Sequence, residues 1–297
     1  VTLEPCAHQG ETPPCAAALA DAGVGTAVIA CRDPDPRVDG AGFAMLADAG
    51  MRVRQGVLEA EAKELNAGFF HRVRTGKPLV TLKLAASLDG RIATSSGESK
   101  WITGADARAH GHGLRARHDA IVLGSGTVLA DDPELTCRLP GMIGRSPVRV
   151  ILDGRLRTPV TAKLIASANQ IATWVLTTDA SSGSARQALE AEGAEVLVVD
   201  MDSAGHPDLG ASLDLLGSRG ITRALVEGGG TLAAGFLQSG LADRLVWARS
   251  GALLGGDGLA AIGDLGLSKL EGAPKFDRID SVAAGDDLIE TFALVRS

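Results

Sequence analysis

The sequence predicts two α/β domains, and three observations carry that expectation. The chain has 297 residues, about twice the ~150 of an ordinary domain. Short apolar runs alternate with stretches whose apolar residues recur every three or four positions, the pattern of strands and helices in a sheet covered on both faces. Thr75-Gly76-Lys77-Pro78 breaks the pattern with turn-forming residues, which sets the boundary between a domain over 1–76 and one over 78–297.

In the first part, Val1-Thr2-Leu3 reads as the end of a buried strand and, with no Met before it, places the natural N-terminus and any targeting signal upstream. Pro14 to Ala22 and Ala41 to Ala49 read as short helices stopped at Gly23 and Gly50, and Thr26 to Ala30 and Met51 to Val53 as strands. The set is a βαβαβ remnant. Leu58, Ala62, Leu65, Phe69 and Val73 predict a single amphipathic helix running to Arg74. Beyond the boundary, strands are expected at Leu79 to Ala85, Ala120 to Leu123, Val148 to Leu152, Ile171 to Leu176, Glu195 to Val199, Ala224 to Val226 and Leu245 to Ala248. Helices are expected at Ala105 to Arg117, Ser184 to Glu192, Leu209 to Ser218 and Thr231 to Gln238.

Composition narrows the function classes. Hydrophobic residues make up 45% and charged residues 22%, an ordinary globular balance that excludes a disordered or fibrous chain. With 6 Phe, 3 Trp and no Tyr against 38 Gly, the core must come from Ala, Leu and Val, and stacking platforms for single-stranded nucleic acid are not expected. A net charge of −7 argues against a nucleic-acid or anionic-membrane surface. No apolar run approaches the ~18 residues that span a bilayer. Four cysteines, two of them nine positions apart beside His and Pro, fit a reduced compartment with a metal site better than a disulfide framework, and the cytoplasm is the expected location.

Those two are Cys6 and Cys15, in Thr2-Leu3-Glu4-Pro5-Cys6, then His8, then Thr12-Pro13-Pro14-Cys15. Cys15 falls in the first turn of a helix, where a thiol pKa is lowered toward the thiolate that a zinc ligand must be; a chance pair of buried cysteines is the alternative. The stretch resembles the zinc half of the deaminase domain in the bifunctional deaminase/reductase family of riboflavin biosynthesis (RibD/RibG). The resemblance implies that Cys6 and Cys15 are two of three Zn2+ ligands, the third coming from a His-x-Glu motif whose Glu moves protons for the attacking water. None of His8, His71, His110, His112, His118 and His206 is followed two positions later by Glu. The site is therefore expected to be incomplete and the chain not to deaminate, with the missing motif upstream of Val1.

Three further stretches carry reductase chemistry. Lys83 to Ala93 with Ser95 to Ile102 is a strand ending in a polar, Gly-bearing loop at the carboxyl edge of an α/β sheet, where ligands usually sit. Gly124 to Arg138 offers small residues for close backbone approach and brings Asp131 and Arg138 to one loop. Val226-Glu227-Gly228-Gly229-Gly230-Thr231-Leu232-Ala233 is a strand passing through glycines into a helix, a turn that presents free N–H groups to a phosphate. Its position and spacing differ from the first-βα dinucleotide fingerprint, so another dinucleotide-binding fold is implied.

These stretches, with Asp257 and Gly258 following, resemble the reductase domain of the same family. The resemblance implies a truncated cytidine-deaminase-like α/β/α domain followed by a dihydrofolate-reductase-like α/β domain. It also implies NADPH-dependent conversion of the ribosylamino side chain of a phosphorylated aminouracil into ribitylamino. By the same resemblance Ala85, Trp101, Thr127, Asp131 and the turn Gly229, Gly230, Thr231, Leu232, Ala233, Ala234 and Gly235 face NADPH, while Ser99, Arg115, Leu135, Arg138 and Glu227 face substrate. Gly154 departs from a small hydroxyl residue of the family and removes one cofactor contact. Hydride transfer needs a proton for the atom that gains electron density; Lys83 and Asp131 are the candidates, with a structural lysine and a turn cap before Pro133 as the alternatives. A homo-oligomer is expected. A folate or pterin reductase and a silent nucleotide-binding scaffold are disfavoured, the first by the two arginines suited to a phosphate, the second by the full set of polar site residues.

Overall fold

The computed structural model describes residues 1–10 and 12–295 and divides into two compact units, Val1–Gly76 and Lys77–Ser297. No helix among the described residues is long and apolar enough to cross a membrane.

The first unit contains α1 (Cys15–Asp21), β1 (Thr26–Ile29), α2 (Ala41–Asp48), β2 (Arg52–Gln55), α3 (Glu59–Leu65) and α4 (Ala67–Thr75). β1 and β2 pair in parallel, Thr26 beside Arg52 through Ile29 beside Gln55, over a small core of Ala16, Ile29, Leu46 and Met51. The Glu4 carboxylate, only 3% exposed, accepts from the N–H groups of Asp33, Gly40, Gly42 and Phe43 and so fixes the entry to α2. Two expectations are corrected. Val1 to Leu3 is not a strand: Ala30 N–H donates to Val1 O and Glu4 N–H to Cys31 O, yet Val1 and Thr2 are exposed. The single helix from Leu58 to Arg74 is two, because Asn66 leaves helical geometry (φ −94°, ψ 8°) and turns its amide back onto Ala62 O at 2.8 Å. Leu58 and Leu65 are consequently exposed, while Ala62 and Phe70 pack inward.

The second unit follows with β3 (Leu79–Ala86), β4 (Arg91–Ala93), α5 (Ala105–Ala116), β5 (Ala120–Gly124), α6 (Ser125–Asp131), β6 (Val148–Leu152), α7 (Lys163–Ala166), β7 (Thr173–Thr177) and α8 (Gly183–Ala191). It continues with β8 (Glu195–Val198), α9 (Leu209–Ser218), β9 (Arg223–Val226), α10 (Gly230–Gln238), β10 (Arg244–Arg249), β11 (Leu259–Ala260), β12 (Phe276–Ala284) and β13 (Asp287–Leu294). Nine strands form one sheet in the order β12-β13-β10-β3-β9-β5-β6-β7-β8. From β10 to β8 neighbours are parallel; β13 and β12 join antiparallel at one side. Core clusters cover both faces, which is why β3, β5, β6 and β9 read as almost unbroken apolar runs. The order puts β3, β9 and β5 side by side at the centre, so their carboxyl ends open at one place.

Candidate active site

Lys83 rises from β3 and is the one charged residue in that strand. Its stem passes Gly111 of α5, where a Cβ would lie 3.8 Å from Lys83 Cε. Its Nζ lies 3.8 Å from Glu227 Oε2, both side chains being largely buried. Glu227 is the residue after β9, and its N–H donates to Val122 O at 3.0 Å, which keeps it aligned with the neighbouring β5. Arg115, in the last turn of α5, grips the same carboxylate in a fork: Nε donates to Oε1 at 2.8 Å and Nη2 to Oε2 at 2.9 Å. Burial alone would raise the Glu227 pKa, but the Arg115 guanidinium and the Lys83 ammonium outweigh it and hold it at about 2. Glu227 is thus an anion at any working pH. Burial pushes the Arg115 pKa down, and the Glu227 carboxylate more than reverses that.

Arg115 Nη1 reaches further, donating to Thr136 O at 3.0 Å, so α5 also holds the segment after α6. That segment carries two side-chain-bearing residues with left-handed backbone, Asp132 (φ 40°) and the buried Leu135 (φ 55°), conformations that persist only where surrounding bonds enforce them. Asp132, not Asp131, closes α6 and accepts from Lys163 N–H at 2.9 Å. Asp131 is exposed in the last turn of α6, and Lys83 pairs with Glu227 rather than with it. Arg138 is half exposed, its guanidinium 3.4 Å from Glu134.

Beside this cluster, α6 and α10 begin next to one another because β5 and β9 are neighbours. A Cβ on Gly229 would lie 4.0 Å from Thr127 Oγ1. At Gly230 a Cβ would stand 2.5 Å from Ala260 O, so only glycine lets the 260–263 backbone close onto the start of α10. Gly229 caps that helix without a side-chain bond, Leu232 N–H turns back to Gly229 O, and the Gly230 and Thr231 N–H groups, which have no carbonyl partner within the helix, suit an anion. Of the remaining turn residues, Thr231 is exposed, Leu232 is half-buried beneath Gly228, Ala233 and Ala234 are core, and Gly235 fits against Leu209. Ala85 packs into the core beside β10, Ser99 is half-buried, and Trp101 is exposed with the Arg108 guanidinium 4.6 Å over its ring. The open turn, Thr127 and the exposed indole suit a nucleotide cofactor. An open groove of about 440 Å3 lies elsewhere, over Leu245, Trp247, Phe276 and Phe292.

Several positions that shape the site were not among those expected. His112 lies one helical turn before Arg115, a spacing that places both on one face of α5, and its Nδ1 contacts Thr136 O at 3.1 Å. Asp89 accepts from Ser87 Oγ and from the N–H groups of Leu254 and Gly255, bonds that hold its pKa at about 2 and pin the 254–258 turn beside β3. Asp287 Oδ2 accepts from Gly104 N–H at 2.6 Å and caps α5 from the β12–β13 hairpin. The Ser-Leu-Asp-Gly turn signal could have pointed to Asp89; nothing local in the sequence points to Asp287.

In the first unit, Cys15 N–H donates to Cys6 Sγ at 3.3 Å, so the two thiols are adjacent. The helix start does not lower the Cys15 pKa: hydrogen bonding and charge from Cys6 raise it. His8 Nδ1 is buried without a partner. Among the described residues no group of three or more His, Cys, Asp or Glu side chains is gathered to hold a metal ion. Two thiols do not make the three-ligand set of a catalytic zinc.

The model of the RibD C-terminal domain family matches residues 78–289. The chain is 43% identical over 256 residues to the riboflavin biosynthesis protein RibD of Bacillus amyloliquefaciens, covering 86% of this chain and 68% of that protein.

The chain belongs to the RibD family.

RibD of Escherichia coli is 41% identical over 287 residues, covering 93% of this chain and 76% of its own length. Among solved structures, Acinetobacter baumannii RibD superposes with a TM-score of 0.87 at 37% identity, over 99% of this chain and 80% of that one. A Thermotoga maritima RibD-type deaminase/reductase gives 0.83 at 34%, over 99% and 78%. A riboflavin biosynthesis reductase of Saccharomyces shares the fold, at 0.57 and 21% identity over 79% of this chain and all of that one. These structures share the α/β fold of the second unit.

Proposed function

We propose that the second unit reduces the ribosylamino group of 5-amino-6-(5-phosphoribosylamino)uracil to ribitylamino with NADPH. The observation that carries this reading is the buried Lys83–Glu227–Arg115 cluster at the carboxyl ends of β3 and β9, beside the open start of α10. The α10 turn and Thr127 would hold the cofactor's phosphates, and Trp101 would cover it. Bound NADPH supplies hydride to the sugar C1′. The chain supplies the rest: Glu227, ionised and immobile, accepts from the substrate's N–H or O–H groups and holds the Lys83 side chain beside it. The Lys83 ammonium then stands as donor to the ring oxygen or imine nitrogen that takes the electron pair. Asp131, exposed at the end of α6, serves this reading as a cofactor contact. Three of the five guanidinium N–H groups of Arg115 are engaged by Glu227 and Thr136, which leaves one on each Nη to reach the substrate. Arg138, half exposed and held only loosely by Glu134, is the contact for the substrate phosphate.

Arg138→Ala tests this. Loss of a charge-assisted phosphate contact, worth about 1.5–3 kcal/mol, should raise KM for the phosphorylated substrate roughly tenfold or more and leave NADPH affinity unchanged. Unchanged substrate kinetics with weakened NADPH binding would overturn the assignment. For the first unit, the adjacent Cys6 and Cys15 thiols support reading it as the deaminase-like half of such proteins.

A further inference from the structure

We propose that His112 is a positioning residue of the reductase site: its Nδ1 accepts the Arg138 peptide N–H and so sets where the Arg138 side chain leaves its loop. This rests on the reading of Arg138 as the substrate-phosphate contact. Nδ1 lies 3.3 Å from Arg138 N and 3.1 Å from Thr136 O, and one ring nitrogen cannot accept from the first and donate to the second at once. The neighbouring bonds decide between the two. Thr136 O already receives Arg115 Nη1 at 3.0 Å, whereas His112 Nδ1 is the acceptor that Arg138 N–H has. With the lone pair on Nδ1 the Arg138 N–H keeps its acceptor; with a proton there it loses that acceptor, and the gain is only a second donor for Thr136 O, which Arg115 already serves. The ring proton therefore belongs on Nε2 and the ring is neutral. Burial and the Arg115 and Arg138 cations favour that form, and together they outweigh the pull of the Thr136 carbonyl and of Glu227 toward the protonated ring.

The need for such a hold is visible in the loop. Leu135, three residues before Arg138, sits at a φ of 55°, and Cys137 Sγ makes a long 3.4 Å contact with His112 O. Among the described residues the Arg138 side chain is tethered by an exposed pair with Glu134, which adds little. Its direction is thus set by its own peptide plane, and His112 holds that plane to α5, the helix that carries Arg115.

The test is a set of full-length variants: His112→Leu, which has no acceptor, His112→Asn, whose side-chain oxygen can stand near Nδ1, Arg138→Ala, and His112→Leu with Arg138→Ala. His112→Leu should raise KM for the phosphorylated substrate about fivefold to tenfold with kcat within about threefold of wild type and NADPH affinity unchanged. His112→Asn should recover most of that, and His112→Leu should add nothing once Arg138 is alanine. If Arg138→Ala raises KM but His112→Leu does not, or its effect is fully additive, or His112→Asn behaves as His112→Leu does, the positioning role is wrong. If Arg138→Ala itself leaves KM unchanged, the reading of Arg138 has failed instead.

Discussion

Replacing Glu227 by Gln removes one charge from a site that holds three, and the structure fixes both the size and the pH dependence of the result. The carboxylate is gripped by Arg115 at 2.8 and 2.9 Å with Lys83 at 3.8 Å. Its pKa falls from 4.5 to about 2. A gap of that size corresponds to about 3 kcal/mol at about 1.4 kcal/mol per unit, within the range of ~3–5 kcal/mol for breaking a buried pair from one side. Because the folded pKa is the lower one, the stabilisation is complete above 4.5 and is lost as pH falls toward 2. Urea unfolding of wild type and Glu227→Gln, followed by tryptophan fluorescence, reads this directly, since Trp101, Trp174 and Trp247 all lie in the second unit. The stability difference should be near 3 kcal/mol and flat from pH 7 to pH 5, then shrink by just under about 1 kcal/mol at pH 4. A difference below about 1 kcal/mol, or one that grows as pH falls, would refute the account of Glu227 as a buried anion between two cations.

Two other positions give simpler expectations. Asp287→Ala removes the cap on α5 and should cost about 1 kcal/mol, seen as a fall of a few degrees in Tm; an unchanged Tm would mean that Gly104 finds another acceptor. Arg149 is wholly buried and its pKa is pushed down to about 10 by burial, with Thr173 Oγ1, Ser167 Oγ, Leu164 O and Ile171 O accepting from it. Arg149→Lys keeps the charge but cannot reproduce the planar fork, so it should lower stability by about 2–4 kcal/mol in urea unfolding, and a loss under about 0.5 kcal/mol would show that the fork does not matter.

The parts of the fold legible in the sequence are those whose surroundings leave a mark on every residue. β3, β5, β6 and β9 are buried on both faces, so their composition alone announces them. β12 was not visible because nearly all of it is exposed, and its mixture of Asp, Arg, Ile and Ser carries neither period. α6 reads as a loop because its Ser-Gly-Thr start is poor in helix formers and it buries only Ser125 and Val128. In the site, Arg115 and Glu227 could be named by resemblance and Lys83 by the proton that hydride transfer requires, but not that they form one cluster, since Arg115 and Glu227 are 112 positions apart. Asp131 and Asp132 are interchangeable as residue types; the left-handed backbone of Asp132 is what separates their roles. His112 was concealed by a tertiary contact, the return of residues 136–138 to α5.

On the proposed function, the Lys83–Glu227–Arg115 cluster works on a phosphorylated ribosylaminouracil with hydride from NADPH. This is tested most directly by following reduced-nicotinamide absorbance when the 297-residue chain is mixed with NADPH and 5-amino-6-(5-phosphoribosylamino)uracil, in parallel with Lys83→Met. NADPH loss should match ribitylamino product, with none without the aminouracil, and kcat should fall at least about 100-fold in the variant. NADPH that binds but is never consumed, or turnover that Lys83→Met leaves intact, would contradict that function.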